Sequence, residues 1–88
     1  MDYKIEFSKK AKKQFKSLPK LFQERLAPQI NALASNPRPR GSIQLSGVEE
    51  NVYRIRVGNY RIVYEIYDKI LLVWIIEIGH LCEVYRKK

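Results

Sequence analysis

Cysteine occurs once in this 88-residue chain, and so does histidine. Cys82 alone cannot build a disulfide framework, and with His80 two residues away it cannot hold a metal unless carboxylates complete the set. No metal and no cofactor is expected, and Cys82 reads as a small filler side chain with nothing marking it as an activated nucleophile. A single reduced thiol fits the cytoplasm. Long apolar runs are missing as well. The longest, Ile70 to Ile76, is far short of the roughly 20 residues a membrane span needs. The amino terminus, MDYKIEFSKK, lacks the apolar core of a signal peptide, and no repeat or low-complexity segment is present. Acidic residues are scarce, 9 against 17 lysines and arginines, which leaves a net charge of +8 and a pI near 9.8. That balance points to a polyanionic partner: nucleic acid first, an anionic membrane surface second, an acidic protein third.

Residues 1–88 are expected to form one domain, large enough to fold without staples. Tyr3, Ile5 and Phe7 alternate with Lys4 and Glu6, a short strand that Ser8 ends and from which Ser8 can cap a helix. In that helix Ala11, Phe15 and Leu18 form an apolar stripe, and the other faces carry lysines, among them Lys9, Lys10 and Lys13, suited to diffuse attraction of a phosphate backbone. Leu18-Pro19 breaks it and Pro19 starts a second helix, whose stripe is Phe22, Leu26, Ile30 and Leu33. Pro28 inside that stripe predicts a kink near Glu24 to Ala27 or a split. Asn36 to Ser42 is a loop whose Arg38 and Arg40 extend a basic rim. Ile43 and Leu45 suggest a short strand, and Ser46 to Asn51 a turn. An αα-hairpin on one face of a sheet is the α+β architecture this order implies.

The most informative stretch is VYRIRVGNYR, Val52 to Arg61. Tyr53, Ile55 and Val57 alternate with Arg54 and Arg56, and Gly58-Asn59 tolerates the positive φ of a two-residue hairpin loop. Folding there sets Arg56 opposite Arg61 and Arg54 opposite Val63, so three guanidinium groups share one face. Opposed like charges are unfavourable, and the pattern is either a solubilising sheet face or an anion site whose forks match phosphate oxygens. Ile70 to Ile78 reads as a central strand. With a plain two-residue turn at Asp68-Lys69, Trp74 faces Val63, Ile76 faces Arg61, and Glu77 falls awkwardly on the helix-covered face. A bulge or another loop length moves Glu77 to the arginine face, where it could pair with Arg61 or Arg56.

Leu-x-Gly at Leu45 to Gly47, YRIRVGNYRIVYEI at Tyr53 to Ile66, Gly79-His80 and Glu83-Val84-Tyr85-Arg86 together resemble the RelE/ParE superfamily of small toxins, and most of all its RelE-type mRNA interferases. The resemblance implies a β-α-α-β-β-β protein, an antitoxin that wraps it, and ribosome-dependent, metal-independent cleavage of mRNA in the A site of the 70S ribosome, with no membrane partner. It also implies roles. Arg61 would stabilise the pentacoordinate phosphate. Arg54 and Arg56 would contact phosphate or assist proton transfer. Tyr85 would take the nucleophile's proton or stack on a base, with Arg86 beside it among the RNA contacts. Where family members commonly carry a basic residue after the glycine, this chain has Leu81 or Cys82, neither of which offers a cationic donor. His80 is the candidate acid or base to replace it, imidazole being the side chain suited to proton transfer near neutral pH. That departure gives weight to two alternatives: a ParE-type toxin that poisons DNA gyrase without nuclease chemistry, and a weakened ribosome- or RNA-binding homologue.

Overall fold

Ser8 is the hinge between the first strand and the first helix. Its hydroxyl accepts the Ala11 N–H at 3.0 Å and donates to the Ile76 carbonyl at 2.8 Å, so one side chain caps the helix and ties its start to a strand remote in sequence. The computed structural model describes residues 2–45 and 51–80. Ser46 to Glu50 of the expected turn lie outside the described residues, as does everything from Leu81 on, including Cys82, Tyr85 and Arg86. The elements run β1 (Lys4–Phe7), α1 (Lys9–Ser17), α2 (Lys20–Ala32), β2 (Ile43–Gln44), β3 (Val52–Val57), β4 (Tyr60–Tyr67) and β5 (Leu72–His80). This is the expected α+β order. The five strands form one sheet in the order β1-β5-β4-β3-β2, antiparallel except where β1 joins β5 in parallel. Among the described residues no helix is long and apolar enough to cross a membrane.

Both helices cover one face of the sheet. Ala11 of α1 and Leu26 and Ile30 of α2 are buried, with Leu33 just past the helix end, against Ile55, Ile62, Tyr64, Ile66, Val73, Ile75 and Ile78. Beyond Phe7, where β1 stops, α1 takes over the edge of β5: the Gln14 side-chain carbonyl accepts the Ile78 N–H at 2.7 Å. The joint between the helices is closed by Gln23, whose amide donates to the carbonyls of Phe15 and Leu18 at 3.1 and 3.0 Å, satisfying groups that the end of α1 leaves open. Pro19 stands just before α2. That helix runs unbroken through Pro28 rather than splitting; Pro28 and Glu24 one turn back are both exposed, so the bond that proline removes is lost on the solvent side.

The turn geometry corrects one register. Gly58 takes φ 61° while Asn59 stays at negative φ, so only the first of the two hairpin residues uses the left-handed region. The β3–β4 pairing is as expected, with Arg56 opposite Arg61 and Arg54 opposite Val63. The β4–β5 turn, however, occupies the four residues between Tyr67 and Leu72, with Leu71 at φ 51°. A bulge between Val63 and Tyr64 then shifts the rest of the ladder. Trp74 therefore faces Glu65, Gly79 faces Arg61, and Glu77 faces Val63 on the arginine side.

Candidate nucleic-acid interface

Side chains alternate across a sheet, so the registers sort them onto two faces. On the open face, away from the helices, Arg56 stands beside Arg61, and Arg61 in turn beside Gly79, which has no side chain to fill the space next to the guanidinium. Glycine inside a strand often marks a place where a ligand comes close, a signal present in the sequence but masked there by its position at the strand's apparent end. Arg54 lies one step along the same face. Among the described residues, none of Arg54, Arg56 and Arg61 has an ion-pair partner. Glu77 has reached their side of the sheet, yet its carboxylate is taken by Lys10 at 3.5 Å rather than by an arginine. The opposite end of this face is different in kind. Trp74, 40% exposed, lies between Glu6 and Glu65, and the Tyr67 hydroxyl donates to Glu65. The open face is thus cationic toward the β3–β4 turn and aromatic and acidic toward the β4–β5 turn.

Other expected contacts divide. Arg38 is not part of a free rim: its guanidinium holds Asp68 through two bonds at 2.9 and 3.3 Å, donates to the Tyr53 hydroxyl at 3.2 Å, and stacks 5.3 Å from that ring's centre. Tyr3 donates to the same carboxylate at 2.5 Å. Arg38 in the first place, and then Tyr3, hold the Asp68 carboxyl below the usual carboxylate range. No local pattern could have revealed a pair 30 residues apart. Arg40, by contrast, has no ion-pair partner among the described residues and shares a cleft with Arg56. Lys9 and Lys13 line the outer face of α1 together with Lys12 and Lys16, whereas Lys10 is drawn toward Glu77.

His80 is separated from the arginines. The register pairs it with Tyr60, on the side that the helices cover, and its ring meets the Tyr60 ring edge to face at 4.9 Å. There it lines a cleft with Gln14, Leu18 and Pro19. The expected substitution of His80 for the missing basic residue therefore has no geometric support, because a residue paired with Tyr60 is one step out of phase with Arg61. Among the described residues no three His, Cys, Asp or Glu side chains gather where they could hold a metal ion. What the open face offers is a set of guanidinium forks without an ion-pair partner among the described residues, a kind of group whose geometry matches the oxygens of phosphate or carboxylate.

Residues 5–85 match the family model for the ParE toxin of the type II toxin-antitoxin system parDE. The chain belongs to the RelE/ParE superfamily of toxins. The putative toxin RelE1 of Methanocaldococcus jannaschii is 27% identical to it over 77 residues, 83% of this chain and 86% of that one. RelE in the RelE–RelB complex of Pyrococcus horikoshii OT3 superposes with a TM-score of 0.80 at 29% identity, covering 92% of this chain and 97% of that one. For the intact RelBE complex of E. coli the TM-score is 0.78 at 26% identity, with 89% and 95% covered. The family model thus carries the ParE name while these relatives are RelE proteins.

Proposed function

We propose that this toxin is a RelE-type endoribonuclease that cuts mRNA in the ribosomal A site, the nucleotide's own 2′-OH attacking the adjacent phosphate. The new bond joins O2′ to phosphorus and the bond to O5′ breaks, leaving a 2′,3′-cyclic phosphate and a 5′-hydroxyl. The 2′-OH proton must leave, negative charge builds on the equatorial oxygens, and the departing O5′ must gain a proton. Arg61 and Arg56, side by side on adjacent strands, are assigned the equatorial charge, with Arg54 on the neighbouring phosphate oxygens. Tyr85, matched by its place in Glu-Val-Tyr-Arg, is assigned the nucleophile's proton. Nearby guanidinium charge lowers a phenol's pKa toward the range where it can act as a base. The observation that carries this reading is the pairing of Arg56 with Arg61 on the open face, unneutralised among the described residues. A natural enzyme that leaves such repulsion in place has a partner for it.

The partners follow from the same reading. The 70S ribosome presents the mRNA, and a cognate antitoxin covers the cationic face, as RelB accompanies RelE in the complexes of Pyrococcus horikoshii and E. coli. The cytoplasm is where all three meet. Because Leu81 or Cys82 stands where relatives commonly have a basic residue, catalysis is expected to be slow. A gyrase-poisoning toxin of the ParE type is the second reading, favoured by the name of the family model and by that same missing residue. The test is cleavage of mRNA on programmed ribosomes by variants. Arg61→Ala should lower the rate by about 100-fold or more, the scale for losing one preorganised donor to a developing oxyanion, whereas His80→Ala should leave it near the parent value. A parent-like rate in Arg61→Ala would remove the arginine face from the mechanism.

A further inference from the structure

Arg40 and Arg56 meet at a place that the chemistry above does not use. The short β2 pairs with β3 only as far as Arg54, so β3 from Ile55 to Val57 has a bare outer edge. The Leu45 N–H donates to the Val52 carbonyl at 2.9 Å, so Val52 points its backbone toward β2 and, counting in twos, so does Arg56. Facing that edge is a cleft of about 270 Å³ lined by Arg56 and Ile55, by Pro39, Arg40 and Gly41 of the loop, and by Gln29 and Ala32 of α2. It is smaller than the roughly 300–1,000 Å³ of a pocket for a whole drug-sized ligand. No acidic side chain lines it: its polar residues are Arg40, Arg56 and Gln29, and the outward backbone of Arg56 adds an N–H donor beside its carbonyl. Gly41, at φ 95° with nothing within 4 Å of where a Cβ would stand, keeps the mouth open.

The position matters as much as the lining. Adjacent strands lie about 4.8 Å apart. Arg61 on β4 and Arg56 on β3 are directly opposed and begin a row at right angles to the strands, and the cleft that Arg56 shares with Arg40 lies next along it, at the free edge of β3. A single strand laid along that row meets one cation after another. Accepting the nuclease reading, on which this rests, we infer that the cleft between Arg40 and Arg56 binds the backbone phosphate next to the scissile one. It makes this toxin read two consecutive phosphates of a single-stranded RNA. Arg40 is then a binding residue for the substrate chain, and Arg56 is shared between the two phosphates.

The test compares two uncleavable 2′-O-methyl ligands, a dinucleotide with one internal phosphate and a trinucleotide with two, titrated into the whole protein by NMR at several salt concentrations. The parent should bind the trinucleotide about tenfold more tightly, as one added charge-assisted contact implies. Its plot of log affinity against log salt should be steeper by about 0.7, the value for one more phosphate on a single strand. The Gly41 amide signal should move only with the trinucleotide, and the Arg56 amide signal with both ligands. Arg40→Ala should erase the gain and the extra slope, and Arg40→Lys should keep the slope. An equal gain in Arg40→Ala, or none in the parent, would overturn the proposal. Cleavage on programmed ribosomes in the same preparations separates the two readings. Cleavage without an Arg40-dependent gain sinks the cleft alone, and an Arg40-dependent gain without cleavage sinks the nuclease while keeping the phosphate site.

Discussion

Two arginines of one chain show how context decides what a guanidinium does. Arg38 meets Asp68, Tyr53 and, through the carboxylate, Tyr3, and so pins the loop after α2 to the β4–β5 turn. Arg61 meets another arginine and a glycine. The first is structural, and the second has no ion-pair partner among the described residues. Since opposed like charges on a sheet cost some tenths of a kcal/mol, Arg56→Ala should unfold no earlier than the parent, and later at low salt, while losing cleavage. Thermal melts at two ionic strengths check it. Asp68 gives a second expectation. Its carboxyl is held below its ordinary pKa, so its contribution to stability is present above about pH 4 and fades as pH falls through the depressed value. Asp68→Asn should flatten the acid side of a plot of melting temperature against pH. Tyr64 behaves in the opposite sense. Fully buried, and donating to the Pro37 carbonyl at 2.7 Å, its hydroxyl is pushed up to about 12, chiefly by burial. Its contribution holds below pH 10 and is lost as pH rises toward 12. Tyr64→Phe, which strands the buried carbonyl, should cost about 1–2 kcal/mol at neutral pH and remove that alkaline loss.

At the level of elements, what could be read from the sequence was whatever depends on neighbours in the chain. The Ser8 cap, the stripe of Leu26, Ile30 and Leu33, and the β3–β4 register follow from local periodicity and from a two-residue loop that allows one alignment. The arginine cluster was legible for that reason. The register of β5 was not, because it depends on a four-residue turn with Leu71 in the left-handed region and on a bulge at Val63/Tyr64, neither of which has a local signature. That bulge sets the face of His80, for which the sequence held no reading, and it resolved the side of Glu77. The Arg38–Asp68 pair lay beyond reach because it joins distant loops. Pro28 makes an element-scale prediction. Interior proline is about 3 kcal/mol less favourable than alanine in a helix, part of which it returns by stiffening the unfolded chain. Pro28→Ala should therefore raise stability by about 1–2 kcal/mol, or roughly 4–16 °C in a domain of this size. A lower melting temperature would show that α2 needs the proline's shape.

The whole molecule is a cationic platform with a one-sided core. Both helices pack on one face, which leaves the other free to carry charge that no buried surface could hold. A net charge of +8 concentrated in arginines on that face and lysines on α1 suits approach to a ribosome crowded with phosphate, and predicts binding that weakens steeply with salt. Membership of the RelE/ParE superfamily makes the same platform available to two mechanisms, cutting RNA or poisoning gyrase, and the arginine pairing is the ground on which the first is proposed for this chain. Primer extension on mRNA in a purified translation system decides between them. The account predicts breaks within A-site codons that require ribosomes, persist in chelator and vanish in Arg61→Ala. Intact mRNA, together with inhibition of gyrase supercoiling by the same protein, would contradict it.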